Sequence, residues 1–407
     1  MLSDDAIDNL VGPIVMRQED ISNYIIGIIA KRVRDIGELS PSDLFKMELL
    51  VSRGADIRKI NSAIAQVAGV QVREIKNLIK IVAKANYIDA KPFYDYRHKS
   101  YIPFEQNKDL QNLVRAVADQ TAETYVNLSN TTATGFLISD TRNPTLLQFR
   151  PIEDTYNTVI DRAIQAVQNG TVDYETATRR AIKELANSGI RNVYYPSGYT
   201  RRLDSSVRMN VLSGVNAINN RIQEYIGEEI GADGVELSAH ANSAPDHEPF
   251  QGHVFTIAEY DKVQSAQSFT DVEGNSFNAV DRAIGEWNCR HYPMYVVLAN
   301  HKPRYSVKQL ERMRQRNADG VTLPDGKHLT LYECTQVQRR LETNIRRAKD
   351  TQIAFRNANN REQALIYQRK VSSLIEQLKA FSAHAGLSVK TSRYAVNNYR
   401  VLKDVLL

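Results

Sequence analysis

Imidazole and thiolate are the side chains best suited to hold a borderline-soft metal ion or to move a proton near neutral pH. Five of the eight histidines of this 407-residue chain fall between His240 and His301, together with the only tryptophan, Trp287, and one of the two cysteines, Cys289. His240, His247, Cys289 and His291 would make a complete tetrahedral zinc set. Their spacing is not that of a zinc finger, since His240 and His247 stand seven apart and Cys289 and His291 only two apart. A second reading has the same side chains hydrogen-bonding across strands and stitching a small domain together. A third is hydrolytic: a histidine as general base, Arg290 as an anion clamp, and Asp246 or Glu248 as an orienting or metal-binding carboxylate. Against the third, Asp246, His247 and Glu248 lie between Pro245 and Pro249 in an apparent loop. No HNH-type, HExxH or paired-aspartate pattern fixes a metal geometry there, and the chain shows no phosphate-binding glycine loop, serine nucleophile elbow or kinase signature.

The elements that must position this cluster are mostly helical, and the expected fold class is α+β, predominantly α-helical. Residues 1–104 read as short helices forming an amino-terminal helical domain, with Pro41 and Ser42 opening one and Gly54 between two. Apolar stripes at Ile57, Ile60, Ile64 and Val67, then at Val72, Ile75, Ile79 and Val82, suggest two amphipathic helices about a turn at Gly69. With Arg73, Lys76 and Lys80 on the second, the pair also admits a helix-turn-helix reading, although an ordinary αα-hairpin is the commoner outcome. A Pro- and Tyr-rich linker from Lys91 to Phe104 precedes a central helical region, 105–232, with helices expected near 107–129, 151–169, 173–188 and 203–230. Gly189 and the pair Gly227 and Gly231 supply stop signals. The stretch 233–304 is turn-rich, with strand-like pieces at Val235–Ala239, His253–Ile257 and Met294–Leu298, and forms a small α+β core around the histidines. Residues 305–407 return to helix. Leu331, Cys334, Gln338, Leu341, Ile345, Ala348, Gln352 and Phe355 form one coiled-coil-like seam, and Ala364, Tyr367, Val371, Leu374, Leu378 and Phe381 a second. The Asn-rich turn at 357–360 lets them fold back as an antiparallel hairpin, ended by Gly386.

Charge singles out the same carboxy-terminal region. The formal net charge is +5, yet Lys302 to Lys370 alone carries 16 Lys plus Arg against 7 Asp plus Glu. A basic segment of this kind suits double-stranded DNA or an acidic protein surface. Arg339, Arg340, Arg346 and Arg347 form two adjacent pairs and are the candidate contacts. The compact aliphatic run at 25–30 is far shorter than the ~20 residues of a membrane helix, so no membrane span is expected. Asp4 and Asp5 replace the basic opening of a secretory signal, and two cysteines make no disulfide framework, so folding in a cytoplasm is expected.

The order of motifs carries a resemblance. His240, Asp246-His247, Gln251-Gly252 and the box Asn288-Cys289-Arg290-His291 resemble the phage minor capsid protein 2 family, and more distantly the Mu-type and SPP1-type head morphogenesis proteins. The likeness continues at Tyr332-Glu333, Gln336, Gln338-Arg339, Glu342, Ile345-Arg346, Phe381-Ser382 and Gly386-Leu387, so that it covers about 195–400. Pro249-Phe250 stands where a tryptophan is expected, and Ala241-Asn242-Ser243 replaces the usual Gly-Ala-Arg type of loop. No such motif is apparent in the first 100 residues. The resemblance implies a structural virion component, not an enzyme, assembled in the host bacterial cytoplasm. Its implied partners are the portal protein and the major capsid or scaffolding protein, with no small-molecule substrate and no required cofactor.

Overall fold

Apolar residues recur every three or four positions through the amino-terminal quarter, and the chain answers with two long helices, α1 (Asp4–Gly37) and α2 (Asp43–Asp89). The computed structural model describes residues 4–37, 43–130, 134–140, 143, 145–169, 171–193, 200–280, 282–284 and 289–402; the helix opening expected at Pro41 and Ser42 lies outside them. The two helices expected about Gly69 are one uninterrupted helix, and Gly54 is likewise inside it. The reason is register: Ile57, Ile60, Ile64 and Val67 continue through Val72 into Ile75, Ile79 and Val82 on one stripe, buried or half-buried, that packs on the helical core. A single helical glycine costs only about 1 kcal/mol relative to alanine, too little to break a stripe packed on both sides of it. With no turn in this segment, 57–82 is not a helix-turn-helix.

The Pro- and Tyr-rich segment after α2 is packed, not extended. Its short helix α3 (Lys91–Tyr96) buries Tyr94, Tyr101 stacks on Tyr87 with ring centroids 5.0 Å apart, and Phe104 is buried beside them. Asn107 then caps α4 (Lys108–Leu128) by accepting the Leu110 N–H. Strands β1 (Thr134–Ser139) and β2 (Leu147–Pro151) precede α5 (Ile152–Gln168) and α6 (Tyr174–Ser188), the latter capped by Asp173 and ended at Gly189, φ +60°. Strands β3 (Arg191–Val193) and β4 (Thr200–Arg202) lead into α7 (Leu203–Ile230), which stops at the left-handed Gly231. The four expected helices of this region thus all form. The antiparallel sheet in the order β2-β1-β3-β4 does not show in the sequence, because its strands have only three to six residues and its central pair, β1 with β3, joins segments on either side of α5 and α6. One apolar core joins α1, α2, α4, α5, α6 and α7, with residues on both sides of position 104.

The α+β region has a separate core. Strand β5 (Gly234–Leu237) lies between β6 (Val254–Thr256) and a later strand, and α8 (Ile257–Gln264) with the two-residue strands β7 (Phe269–Thr270) and β8 (Ser276–Phe277) covers one side. The later strand is β9 (Pro293–Val296), and the sheet order is β6-β5-β9, antiparallel throughout. Phe250, Phe255, Phe269 and Phe277 pack with Val235, Leu237 and Tyr260. Helix α9 (Val307–Asp319) and the small ribbon β10 (Val321–Thr322) with β11 (His328–Leu329) lead to α10 (Leu331–Asn357) and α11 (Arg361–His384).

Helices α10 and α11 run antiparallel. Gln338 bonds Ser382 at 3.1 Å near one end, and the Phe355 and Tyr367 rings lie 5.6 Å apart near the other. Gly386, φ +62°, ends the hairpin as expected, with the Leu387 N–H donating to the Ser382 carbonyl at 2.8 Å. The hairpin is one side of a helical bundle: α10 packs against α1 and α6. The tail after it runs back along α10, where Lys349 donates to the Tyr394 carbonyl at 2.7 Å and Gln352 to that of Arg400 at 2.9 Å. Among the described residues no helix is long and apolar enough to cross a membrane.

Candidate functional site

The turn after β5 and the segment entering β9 deliver the histidine cluster to one point. His247 follows a tight turn in which its N–H bonds the Ala244 carbonyl at 3.0 Å, while Cys289 and His291 arrive on the approach to β9. The Sγ of Cys289 lies 3.3 Å from Nδ1 of His247 and 3.3 Å from Nδ1 of His291, and all three residues are buried. His240 joins the cluster differently. Its ring stacks on His291, with centroids 4.4 Å apart, and it is not among the converging donor atoms. The four-residue zinc set expected from sequence is therefore a three-residue convergence, with the fourth histidine as its cover.

The tautomers follow from the outer partners. Nε2 of His247 lies 2.8 Å from the Arg282 carbonyl, which can only accept, so Nε2 carries the proton and Nδ1 presents a lone pair to Cys289. Gln251 does the same for His291. Its Oε1 accepts the His240 N–H at 3.0 Å, which fixes it as oxygen, and the same atom faces Nε2 of His291 at 3.3 Å. The Ser243 hydroxyl lies 3.4 Å from that Nε2. Burial, followed by the neighbouring His240 and His247, drives His291 down to about 2, and burial also lowers His247. Both rings are thus neutral at pH 7. Gly252 completes the Gln-Gly turn with φ +72°, and a Cβ on it would stand 2.4 Å from the Leu310 side chain, so only glycine fits.

The carboxylates invoked by the hydrolytic reading are engaged by other groups. Asp246 is held by Arg282 at 3.2 Å, with Oδ2 3.5 Å from the outer nitrogen Nε2 of His247, and Glu248 accepts from Asn317 at 2.9 Å. Neither is among the converging ligand atoms.

His247, Cys289 and His291 form part of the wall of a cavity of about 530 Å³ between the α+β region and the hairpin. Arg290, Arg339, Lys390 and Arg393 contribute cationic groups to the same wall. The outer shell of the cluster and the cations across from it lie on elements more than a hundred residues apart in places.

Residues 2–383 match the family model described as Phage minor capsid protein 2. The chain belongs to that family. The match takes in the amino-terminal helices as well, where no motif was apparent, and so extends the resemblance seen over about 195–400. No curated protein and no solved structure matches the chain. This minor capsid protein is accordingly a structural component of a phage virion, and its partners are other phage head proteins.

The residues expected to matter in this minor capsid protein meet several fates. His240, His247, Gln251, Cys289 and His291 come to the cluster and Arg290 to the cavity beside it; Asp246 stands at its edge and Gly252 in the turn that carries Gln251, whereas Asn288 lies outside the described residues. The four arginines do not form one cationic face. Arg339 lines the cavity and Arg340 faces solvent, while Arg347 borders a second cavity with Arg162 and Arg180. Arg346 is spent internally, 2.9 Å from Glu19 and 3.1 Å from Asp204, with a further bond to the Arg393 carbonyl at 2.6 Å. Sequence spacing put all four on one helix but could not say what packs on each side of it. Lys390 and Arg393 were not singled out, since they lie in a tail whose return along α10 has no local signal.

Proposed function

We propose that this minor capsid protein acts in head assembly near the portal, and that it meets packaged DNA or an acidic inner capsid surface through α9. The observation that supports this reading is a run of exposed cations with no ion pair among the described residues: Lys302, Arg304, Lys308, Arg312, Arg314 and Arg316. Lys308, Arg312 and Arg316 recur every four residues and so share one helix face. They belong to the basic segment that stands out in the sequence, but on α9, not on the α10 arginine pairs, of which only Arg340 is fully available. Positively charged side chains on one open face supply the sequence-independent part of DNA affinity by releasing phosphate counterions. The partners in this reading are the portal protein, the major capsid or scaffolding protein, and double-stranded DNA; assembly takes place in the host cytoplasm.

The test combines particles and purified protein. Quantitative mass spectrometry of purified virions should find the chain at low copy, and its absence would remove the virion role near the portal. The triple variant Lys308→Glu, Arg312→Glu, Arg316→Glu should lower DNA retention or particle incorporation several-fold while the chain still folds. In a duplex-binding titration it should also flatten the dependence of log K on log salt by about 3, near 0.9 per lost phosphate contact. Unchanged particles and an unchanged salt slope would overturn the α9 assignment.

A further inference from the structure

We propose that His247, Cys289 and His291 form a zinc-type metal site in which Nδ1, Sγ and Nδ1 are the protein ligands and the fourth position opens to the basic cavity. Bonds of about 2.3 Å to sulfur and about 2.0–2.1 Å to nitrogen at the tetrahedral angle give sulfur-to-nitrogen edges of about 3.5 Å. The two observed edges are 3.3 Å each, and the three ligand atoms lie within 4.8 Å of one another. Both sulfur-to-nitrogen edges are therefore close to ligand geometry.

The outer shell has the form that metal-binding histidines require. Each ligating ring has its other nitrogen committed as a donor, His247 to the Arg282 carbonyl and His291 to Gln251, so both lone pairs are aimed at the common point. In the metal-free chain the thiol proton lies between two acceptors, with Arg282 Nη2 at 3.5 Å from one of them. The Asp246 carboxylate 3.2 Å from Arg282 offsets that guanidinium charge. Metal binding replaces the thiol proton, which leaves to solvent, and satisfies both imidazoles at once. Three protein ligands with a fourth position reached from a cavity is the pattern of an open site, where water or an anion completes the shell. Arg290, Arg339 and Arg393 on that cavity wall favour an anion there.

The experiment uses the full-length protein. Elemental analysis of protein purified without chelator should find about one zinc per chain. Stripped protein titrated with Co²⁺ should develop tetrahedral d–d bands and a thiolate-to-cobalt charge-transfer band. Cys289→Ser should lose the charge-transfer band, whereas Cys334→Ser and His240→Phe, which keeps a ring stacked on His291, should retain it. Gln251→Leu should weaken cobalt affinity by about 10–100-fold, as expected when an outer partner of a ligating histidine is removed. If Cys289→Ser does not fold, the wild-type and Cys334→Ser spectra decide the matter. No zinc and no thiolate band in folded wild type, loss of the band in Cys334→Ser, or its loss in folded His240→Phe would each overturn the assignment.

Discussion

Two of the buried polar groups in this molecule are finished in different ways. Where α1, α7 and α10 meet, Glu19, Asp204 and Asp350 stand among Arg202 and Arg346. Arg202 lies 3.1 Å from Asp204 and 3.0 Å from Asp350, and Asn23 donates to Asp350 at 3.1 Å. Burial and then the charge of Asp204 push Glu19 well above the usual carboxylate range. Burial opposes ionisation of Asp204 too, but Arg202 and Arg346 hold it well below that range. Three carboxylates thus share two guanidiniums across three helices, and burial raises Asp350 as well as Glu19. The histidine cluster, by contrast, aims two lone pairs at one sulfur and borders a cavity. The first group is closed, its carboxylates and guanidiniums meeting one another across three helices, whereas the second is open to a cavity. The physical difference lies in where the polar atoms point, and it separates a structural device from a candidate binding site within one chain.

The sharpest way to break this contrast is to unbalance the closed side. Arg346→Glu would place a third carboxylate beside Glu19 and Asp204 and leave both without their shared cation. Breaking a buried pair costs about 3–5 kcal/mol. Arg346→Glu should therefore unfold the chain or lower its urea midpoint severely, while exposed Arg340→Glu on the same helix should stay within about 0.5 kcal/mol of wild type. Equal effects from the two would mean that the network is not the tie it is described as.

A smaller effect is expected at Asp8, which fastens α1 to the tail and to α7. Lys390 lies 2.8 Å away, Arg393 3.1 Å and Arg208 3.2 Å. Burial resists ionisation, yet the hydrogen bond from Lys390 and the charge and hydrogen bond of Arg393 prevail, lowering the carboxyl from 3.8 to about 2. A depressed acid stabilises the fold above its unfolded value, so this contribution is complete above about pH 4 and is lost as pH falls through about 2. Asp8→Asn should cost about 2 kcal/mol at pH 7 and progressively less between pH 4 and pH 2. Urea midpoints of both proteins across that range test it, and a deficit independent of pH would assign the effect to packing instead of charge.

The smallest test leaves both polar groups untouched and asks how well the helical frame was legible in the sequence. Four central helices, the three strands of the α+β sheet, the hairpin and its Gly386 stop follow from apolar period and turn residues, which are local signals. So does the clustering of His247, Cys289 and His291, because the family motif keeps them in one short domain. The four-stranded sheet, the internal pairing of Arg346 and the arrival of Lys390 and Arg393 at the cavity depend on contacts between distant segments, which local pattern does not encode. Gly69 is the instructive failure. Glycine suggests a turn there because it often is one, although the apolar residues from Ile57 to Val82 stay on one face. In the structure it is helical and exposed, its φ is not positive, and a Cβ there would meet nothing within 4 Å. Gly69→Ala should therefore stabilise the protein by about 0.5–1 kcal/mol, since alanine loses less backbone entropy on entering a helix. A turn of left-handed conformation would instead make the same change destabilising. The sign of the shift in unfolding midpoint thus decides between one helix and two, and with it whether α2 packs along its length as one element against α1, α4 and α7.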